Sequence, residues 1–319
     1  MHKTYSCTII ISHFESLPFL RACIRKIRKY KHPEIEQHII IAEQSSGATY
    51  SQIEDEFGMF DDITIQGMKP LYSGYGIDYV MRYVDIKSEY ICQIHSDLIP
   101  VHRNWLSACI KLIEERDFKF VGQLHFYTRP NDPIYYLNKM FFSMSPTFNV
   151  ARTETYKEMA LEAGFTRFHN RPLIDVPMTF KNDDWAKWAS EDYNARGSDD
   201  DVIAFCWEDN HREHDKLGLP VTGIIGVPPE SGFGRTYAGL VFHFGFSCES
   251  KGVMEHMGER YRNWTKRINE GFTDELIEEM LAESIPTGHI HSDVWDGKTK
   301  TVSKSSDELN NRIEQLKNE

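Results

Sequence analysis

The chain has 319 residues, 40% hydrophobic and 13% aromatic, with 48 Asp and Glu against 36 Lys and Arg for a net charge of −12. That balance excludes a broad nucleic-acid footprint, which needs clustered Lys and Arg along a phosphate backbone. A mean hydropathy of −0.48, with no apolar run near the ~20 residues of a membrane helix, predicts no membrane span.

The first residues run straight into TYSCTIIISH (4–13) without the apolar core and cleavage site of a signal peptide. Six cysteines, Cys7, Cys23, Cys92, Cys109, Cys206 and Cys248, are dispersed without a C-x-x-C pair. They read as reduced core thiols of a cytoplasmic protein. The β-branched run to His13 is the pattern of a central parallel strand. The next segment, 17–30, puts Leu17, Leu20, Cys23, Ile24 and Ile27 on one helical face, with Ser16 as N-cap and Pro18 in the first turn. EQHIIIA (36–42) repeats the strand pattern and ends in the polar loop Glu43, Gln44, Ser45, Ser46, Gly47. A short helix over 51–57, a strand over 62–66, and a glycine-led helix carrying Gly74, Gly76, Ile77, Val80, Met81 and Val84 come next.

The stretch SEYICQIHSDLIP (88–100) then alternates apolar residues and stops abruptly at His95, Ser96 and Asp97. A buried strand of an open α/β sheet delivers its carboxyl end to the crevice where ligands sit, so His95 and Asp97 can both face a bound ion or phosphate there. The same Ser-Asp pair also fits a turn or the start of the helix that follows. Trp105, Leu106, Cys109, Ile110 and Ile113 mark that helix, and FKFVGQLHF (118–126) another strand. Alternating strands and helices indicate an α/β fold with a doubly wound, mostly parallel sheet.

Beyond 126 the pattern loosens. Residues 127–145, aromatic and proline-punctuated, read as a loop with a short helix, 149–163 as a helix, and 167–198 as irregular. Residues 199–217 have a helical period with an acidic first turn, favourable for the helix dipole. VTGIIGV (221–227) and GLVFHFGFS (239–247) read as strands, and 273–285 and 306–317 as charged amphipathic helices, the second docked on the body or on a second copy. His211 and His214 sit in a solvated face, and His291 to Asp293 repeats the triplet without a recognisable strand.

In this order the features resemble the family 2 glycosyltransferases of the GT-A fold, well over about the first 120 residues and more loosely to Ser250. TIIISHFESLPFLRACI matches the first strand, nucleotide loop and helix; IIIAEQSSGAT matches the second strand with its acidic end; His95, Ser96, Asp97 stands where D-x-D is usual. The resemblance implies a metal-dependent, inverting transfer of a sugar from a nucleotide diphosphate donor, expected to be a UDP sugar, to a hydroxyl of a glycan or glycoconjugate. It divides the chain into a nucleotide-sugar half (1–126), an acceptor and catalytic half (127–250) and a helical C-terminal extension (251–319). By the same resemblance Ser12, His13, Glu15, Glu43, Ser45, Gly74, His95 and Ser96 face the nucleotide. Asp97, His243 and His95 hold Mn2+ or Mg2+, and Asp200, Asp201 or Asp199 is the base. Two alternatives share this pattern: a catalytically weak nucleotide-sugar-binding protein, and a glycosyltransferase acting on a modified nucleic-acid base. A second copy of the chain is a candidate partner.

Overall fold

The computed structural model of the protein describes residues 4–45, 47–68, 80–81, 83–116, 118, 120–126, 142–155, 165–166, 171–172, 202–206, 235–244, 259–282, 285–287, 289–295, 301–305 and 307–319. The chain opens with β1 (Tyr5–His13), α1 (Leu17–Lys29), β2 (Ile35–Glu43), α2 (Ala48–Phe57) and β3 (Ile63–Gly67). After these come β4 (Tyr90–His95), the short β5 (Leu98–Pro100), α3 (Trp105–Arg116), β6 (Phe120–Phe126) and β7 (Phe142–Arg152). The remainder supplies β8 (Phe165–Thr166), β9 (Arg171–Pro172), β10 (Val202–Cys206), β11 (Arg235–Tyr237) and β12 (Val241–His243). It ends with α4 (Glu259–Glu270), α5 (Asp274–Ala282), β13 (Ile285–Thr287), β14 (His289–Trp295), β15 (Thr301–Ser305) and α6 (Asp307–Asn318).

Nine strands form one sheet in the order β15-β14-β10-β6-β7-β4-β1-β2-β3. Within it only β7 and β14 run against the others, so the sheet is mixed and mostly parallel, as expected. β1 pairs in parallel with β2 on one side and β4 on the other. Strand order therefore reverses at β1/β4, and the crevice outside the carboxyl ends of these two strands is where such a sheet receives ligands. β1 carries Ile9, Ile10 and Ile11 fully buried, because helices and chain cover both faces. The apolar face read for α1 is buried as expected, including Leu20, Cys23, Ile24 and Ile27.

The C-terminal extension contains the expected helices and also strands. α5 is tied to α1 through Asp274, which receives Arg25, Lys26 and Lys29 at 3.2 to 3.4 Å. α6 docks on α3: Ile313 and Leu316 are buried, and Asn104 donates from Nδ2 to the carbonyls of Leu316 and Lys317 at 3.1 and 3.0 Å. β14 and β15 extend the large sheet, while β13 joins β11, β12 and β5 in a second, four-stranded sheet.

Three sequence expectations are corrected here. The helix placed over 149–163 begins inside β7, whose Phe148, Asn149, Val150 and Ala151 are all buried; a strand covered on both faces lacks the period of two that marks a half-buried one. The helix placed over 199–217 contains β10 instead, a five-residue apolar run too short for periodicity to separate helix from strand. His291 to Asp293 lie within β14. The expected strand over 221–227, Trp185, Trp188, Tyr193, and His211 with His214 lie outside the described residues.

The register between β6 and β7 shifts between Gly122 and Leu124. A β carbon at Gly122 would stand 2.5 Å from the Cα of Asn149, a backbone atom that cannot yield without moving the strand. Gly122→Ala should therefore cost about 1–3 kcal/mol through overpacking, read as a lower urea midpoint; an unchanged midpoint would contradict this close approach.

Candidate metal and nucleotide site

The site forms where β1, β2 and β4 end. Ser12 is level with His95 and His13 with Glu43 in the parallel ladders. β4 stops at His95, the Ser96 N–H donates to the Ser12 carbonyl at 3.0 Å, and the chain turns through Asp97 into β5. β5 then pairs antiparallel with β12, so that Leu98 faces His243, and the Phe244 N–H donates to the Asp97 carbonyl at 2.9 Å. Phe242 and Phe244 are buried and stack edge to face at 4.6 Å between centroids. Phe244 is further held by Phe19 at 5.3 Å and Phe272 at 5.1 Å. Alternation along a strand sends the residue between two core aromatics the other way. His243 is thereby aimed at Asp97.

His95, Asp97 and His243 each offer a ligand atom, and these atoms lie within 4.8 Å of one another. His243 Nε2 is 3.3 Å from Asp97 Oδ2, and His95 Nδ1 is 3.9 Å from Asp97 Oδ1. The two imidazoles meet edge on, 75° apart with centroids at 6.4 Å. Burial pushes the His95 pKa down to about 4; the Asp97 charge opposes that shift and His243 adds to it. The ring is therefore neutral at neutral pH, with a lone pair to give. Its Nε2 is buried with no hydrogen-bond partner among the described residues. A neutral buried imidazole whose Nδ1 faces a carboxylate, with a second imidazole beside it, fits a divalent cation.

Beside this cluster lies a polar floor. His13 and Glu43 have fully buried side chains, and the imidazole Nδ1–H donates to Glu43 Oε2 at 2.5 Å. The Ser45 N–H donates to Glu43 Oε1 at 2.6 Å. Burial pushes the Glu43 carboxyl up, but the His13 and Ser45 hydrogen bonds outweigh it and hold the pKa below 4.5. Ser45 Oγ accepts from the Glu15 N–H at 2.6 Å, and Ser16 Oγ lies 3.3 Å from Ser96 Oγ. The loops after β1, β2 and β4 are thus laced together. Glu15 itself is exposed, with φ of 52°, a left-handed conformation uncommon for a side-chain-bearing residue.

Of the residues singled out in the sequence, Asp97, His95 and His243 are brought together. Ser12, His13, Glu15, Glu43, Ser45 and Ser96 surround them. Both Glu43 oxygens are engaged internally, so the carboxylate holds His13 and the Ser45 loop in place. Gly74, Asp199, Asp200 and Asp201 lie outside the described residues. Val202, which follows the three aspartates, is level with Phe120, Ala151 and hence Ile91 across the sheet. That row is four residues short of His95, roughly 13 Å along the strands and three strand spacings, about 14 Å, across. Sequence reasoning missed β5, the Ser16–Ser96 contact and the His13–Glu43 pair. The available signal for the β12 approach was the alternation Phe242, His243, Phe244.

No family model and no curated protein sequence matches the chain. Solved structures resemble part of it. The mannosyltransferase PcManGT from Pyrobaculum calidifontis, in complex with GDP-Man and Mn2+, aligns at TM-score 0.37 and 14% identity over 50% of this chain and 47% of its own. S. aureus TarS 1–349 in complex with UDP-GlcNAc aligns at 0.36 and 14% over 48% and 47%. GalNAc-T7 with UDP, GalNAc and Mn2+ aligns at 0.37 and 8% over 49% and 36%. The chain spans about half or less of the length of each of these structures. Likeness at that level carries no argument about chemistry, which has to come from the cluster itself.

Removing the hydrogen-bond donor to a buried carboxylate leaves that carboxylate unsatisfied, so His13→Ala should cost about 1–3 kcal/mol. Because the folded pKa of Glu43 is held below the ordinary carboxylate value, its contribution is complete above that value and is lost as pH falls through the folded pKa. Glu43→Gln should accordingly flatten the acid limb of a urea-midpoint profile as pH falls below the ordinary carboxylate range. A wild-type acid limb unchanged by Glu43→Gln would contradict the charged assignment.

Proposed function

We propose that the chain is a metal-dependent glycosyltransferase that moves a sugar from a nucleotide diphosphate donor, a UDP sugar being the first candidate, to a hydroxyl acceptor on a glycan or glycoconjugate. The observation that carries the reading is the meeting of Asp97 with His95 and His243 at the β1/β4 switch point. A carboxylate and two imidazole rings at the mouth of a sheet crevice form a cation site open to a phosphate ligand, and a net-negative protein receives a diphosphate best through such a cation.

When bound there, Mn2+ or Mg2+ supplies the Lewis-acid charge that stabilises the leaving diphosphate. Asp97 anchors that charge, with His243 fixed beside it by the flanking phenylalanines. Ser12, Ser96 and the Glu15 loop form the rim available to ribose and base, while Glu43 keeps His13 and the Ser45 turn in register. The acceptor hydroxyl needs a base on the face opposite the leaving group, and this arrangement would invert the transferred carbon. Asp200, Asp201 and Asp199 are the candidates by resemblance. The buried free cysteines Cys7, Cys23, Cys92 and Cys109 suit a reducing compartment, and we place the reaction in the cytoplasm.

Hydrolysis of a panel of nucleotide sugars, with and without Mn2+, tests the reading. Wild type should release nucleoside diphosphate from one donor class only with the cation present, and Asp97→Ala should lose about 100-fold or more in rate. Metal-independent turnover, or turnover that survives Asp97→Ala, would sink it. Once an acceptor is in hand, single Asn variants at 199, 200 and 201 should include one with a transfer rate down about 100-fold; three active variants would move the base elsewhere.

A further inference from the structure

Two of the three candidate ligands are imidazoles, one on each of two strands, and the third is a single carboxylate. We propose that His95 makes this a cation site selective for nitrogen-preferring transition ions, in the order Ni2+ or Zn2+ ahead of Mn2+, with Mg2+ bound least tightly. The inference rests on the cation-site part of the reading above and is independent of sugar transfer.

Mg2+ demands oxygen ligands, dehydrates reluctantly and is usually held by carboxylates together with substrate phosphates. Imidazole nitrogen suits Zn2+ and Ni2+ and follows the rising affinity from Mn2+ toward the later metals. Here one carboxylate supplies a single negative charge. A carboxylate at position 95, as in the D-x-D pattern, would double that charge and turn the donor set from nitrogen-rich to oxygen-rich.

Backbone pairing supports the nitrogen donors. His95 closes β4 level with Ser12, and His243 closes β12 level with Leu98, so both rings stand on hydrogen-bonded strands. Their edge-on packing at 6.4 Å leaves the ring nitrogens converging on Asp97. A second observation is independent of that convergence: His95 Nε2 is a buried nitrogen without a hydrogen bond among the described residues. A buried nitrogen left in that state costs about 1–3 kcal/mol, and a neutral imidazole carries a lone pair that a nitrogen-preferring ion uses better than an oxygen-seeking one.

Calorimetric titration of the full chain with Ni2+, Zn2+, Mn2+ and Mg2+ separately, with no nucleotide present, tests this. His243→Ala serves to subtract binding by other histidines. The site is expected to bind Ni2+ on the order of 100-fold more tightly than Mg2+, with Mn2+ between. Co2+ should add visible absorption bands that His243→Ala abolishes. His95→Asp, checked for folding by circular dichroism, should weaken Ni2+ about 10-fold and tighten Mg2+, narrowing the ratio. Equal affinity for Mg2+ and Ni2+ in wild type, which needs no variant, would overturn the proposal, as would a ratio that His95→Asp leaves unchanged. Failure of all four ions to bind would overturn both this proposal and the cation site. Selective binding without turnover of any nucleotide sugar would leave this selectivity standing and remove the transferase reading.

Discussion

The short antiparallel pairing of β5 with β12, closed by the Phe244 N–H on the Asp97 carbonyl, is the constraint on which the candidate site depends. It joins positions about 150 residues apart, and the entropy of closing so long a loop grows only slowly with its length. Burial of Phe244 against Phe19 and Phe272, with Phe242 stacked on Phe244, supplies the apolar side of that closure. Because the cluster is completed by a strand from late in the chain, a cation bound there would stabilise the folded state through mass action. Folding and ligand capture are coupled at this junction.

Around the cluster, buried polar groups are satisfied by one another. Glu43 takes hydrogen bonds from His13 and the Ser45 backbone, Ser45 takes one from Glu15, and Ser16 meets Ser96. Such a network is costly when incomplete and rigid when complete. Here it fixes the three loops that follow β1, β2 and β4 before any ligand arrives, which is the condition for a site to act by positioning. His13 Nε2 and His95 Nε2, without a hydrogen-bond partner among the described residues, are the exceptions within this network, and both residues sit at the carboxyl edge of the sheet.

The nucleotide half was legible because its signals are local. Runs such as CTIII and HIII are β-branched and bounded by polar loops, which marks central strands, Leu20, Cys23, Ile24 and Ile27 share one helical face, and the alternation before His95 stops where the polar triplet begins. The second half was not, for two physical reasons. β7 is an inner strand whose Phe148, Asn149, Val150 and Ala151 are all buried, which erases alternation, and β10 is a five-residue apolar run too short to separate strand from helix. β5 is three residues long, and although β12 falls within the strand read over 239–247, the pairing of the two across the chain is something no window of sequence contains. His243 could be nominated from the resemblance, but its approach to Asp97 is a tertiary fact. Glu43 illustrates the opposite case: its position at the end of β2 was readable, whereas its fully buried pairing with His13 depends on the β1/β2 register.

The central claim is that Asp97, His95 and His243 together hold one cation at the β1/β4 crevice. X-ray absorption at the manganese or cobalt edge of the loaded protein reads that shell directly. Outer-shell scattering from two imidazole rings, falling to one in His243→Ala, is the result this account expects. A shell made wholly of oxygen, unaltered by that substitution, would contradict it.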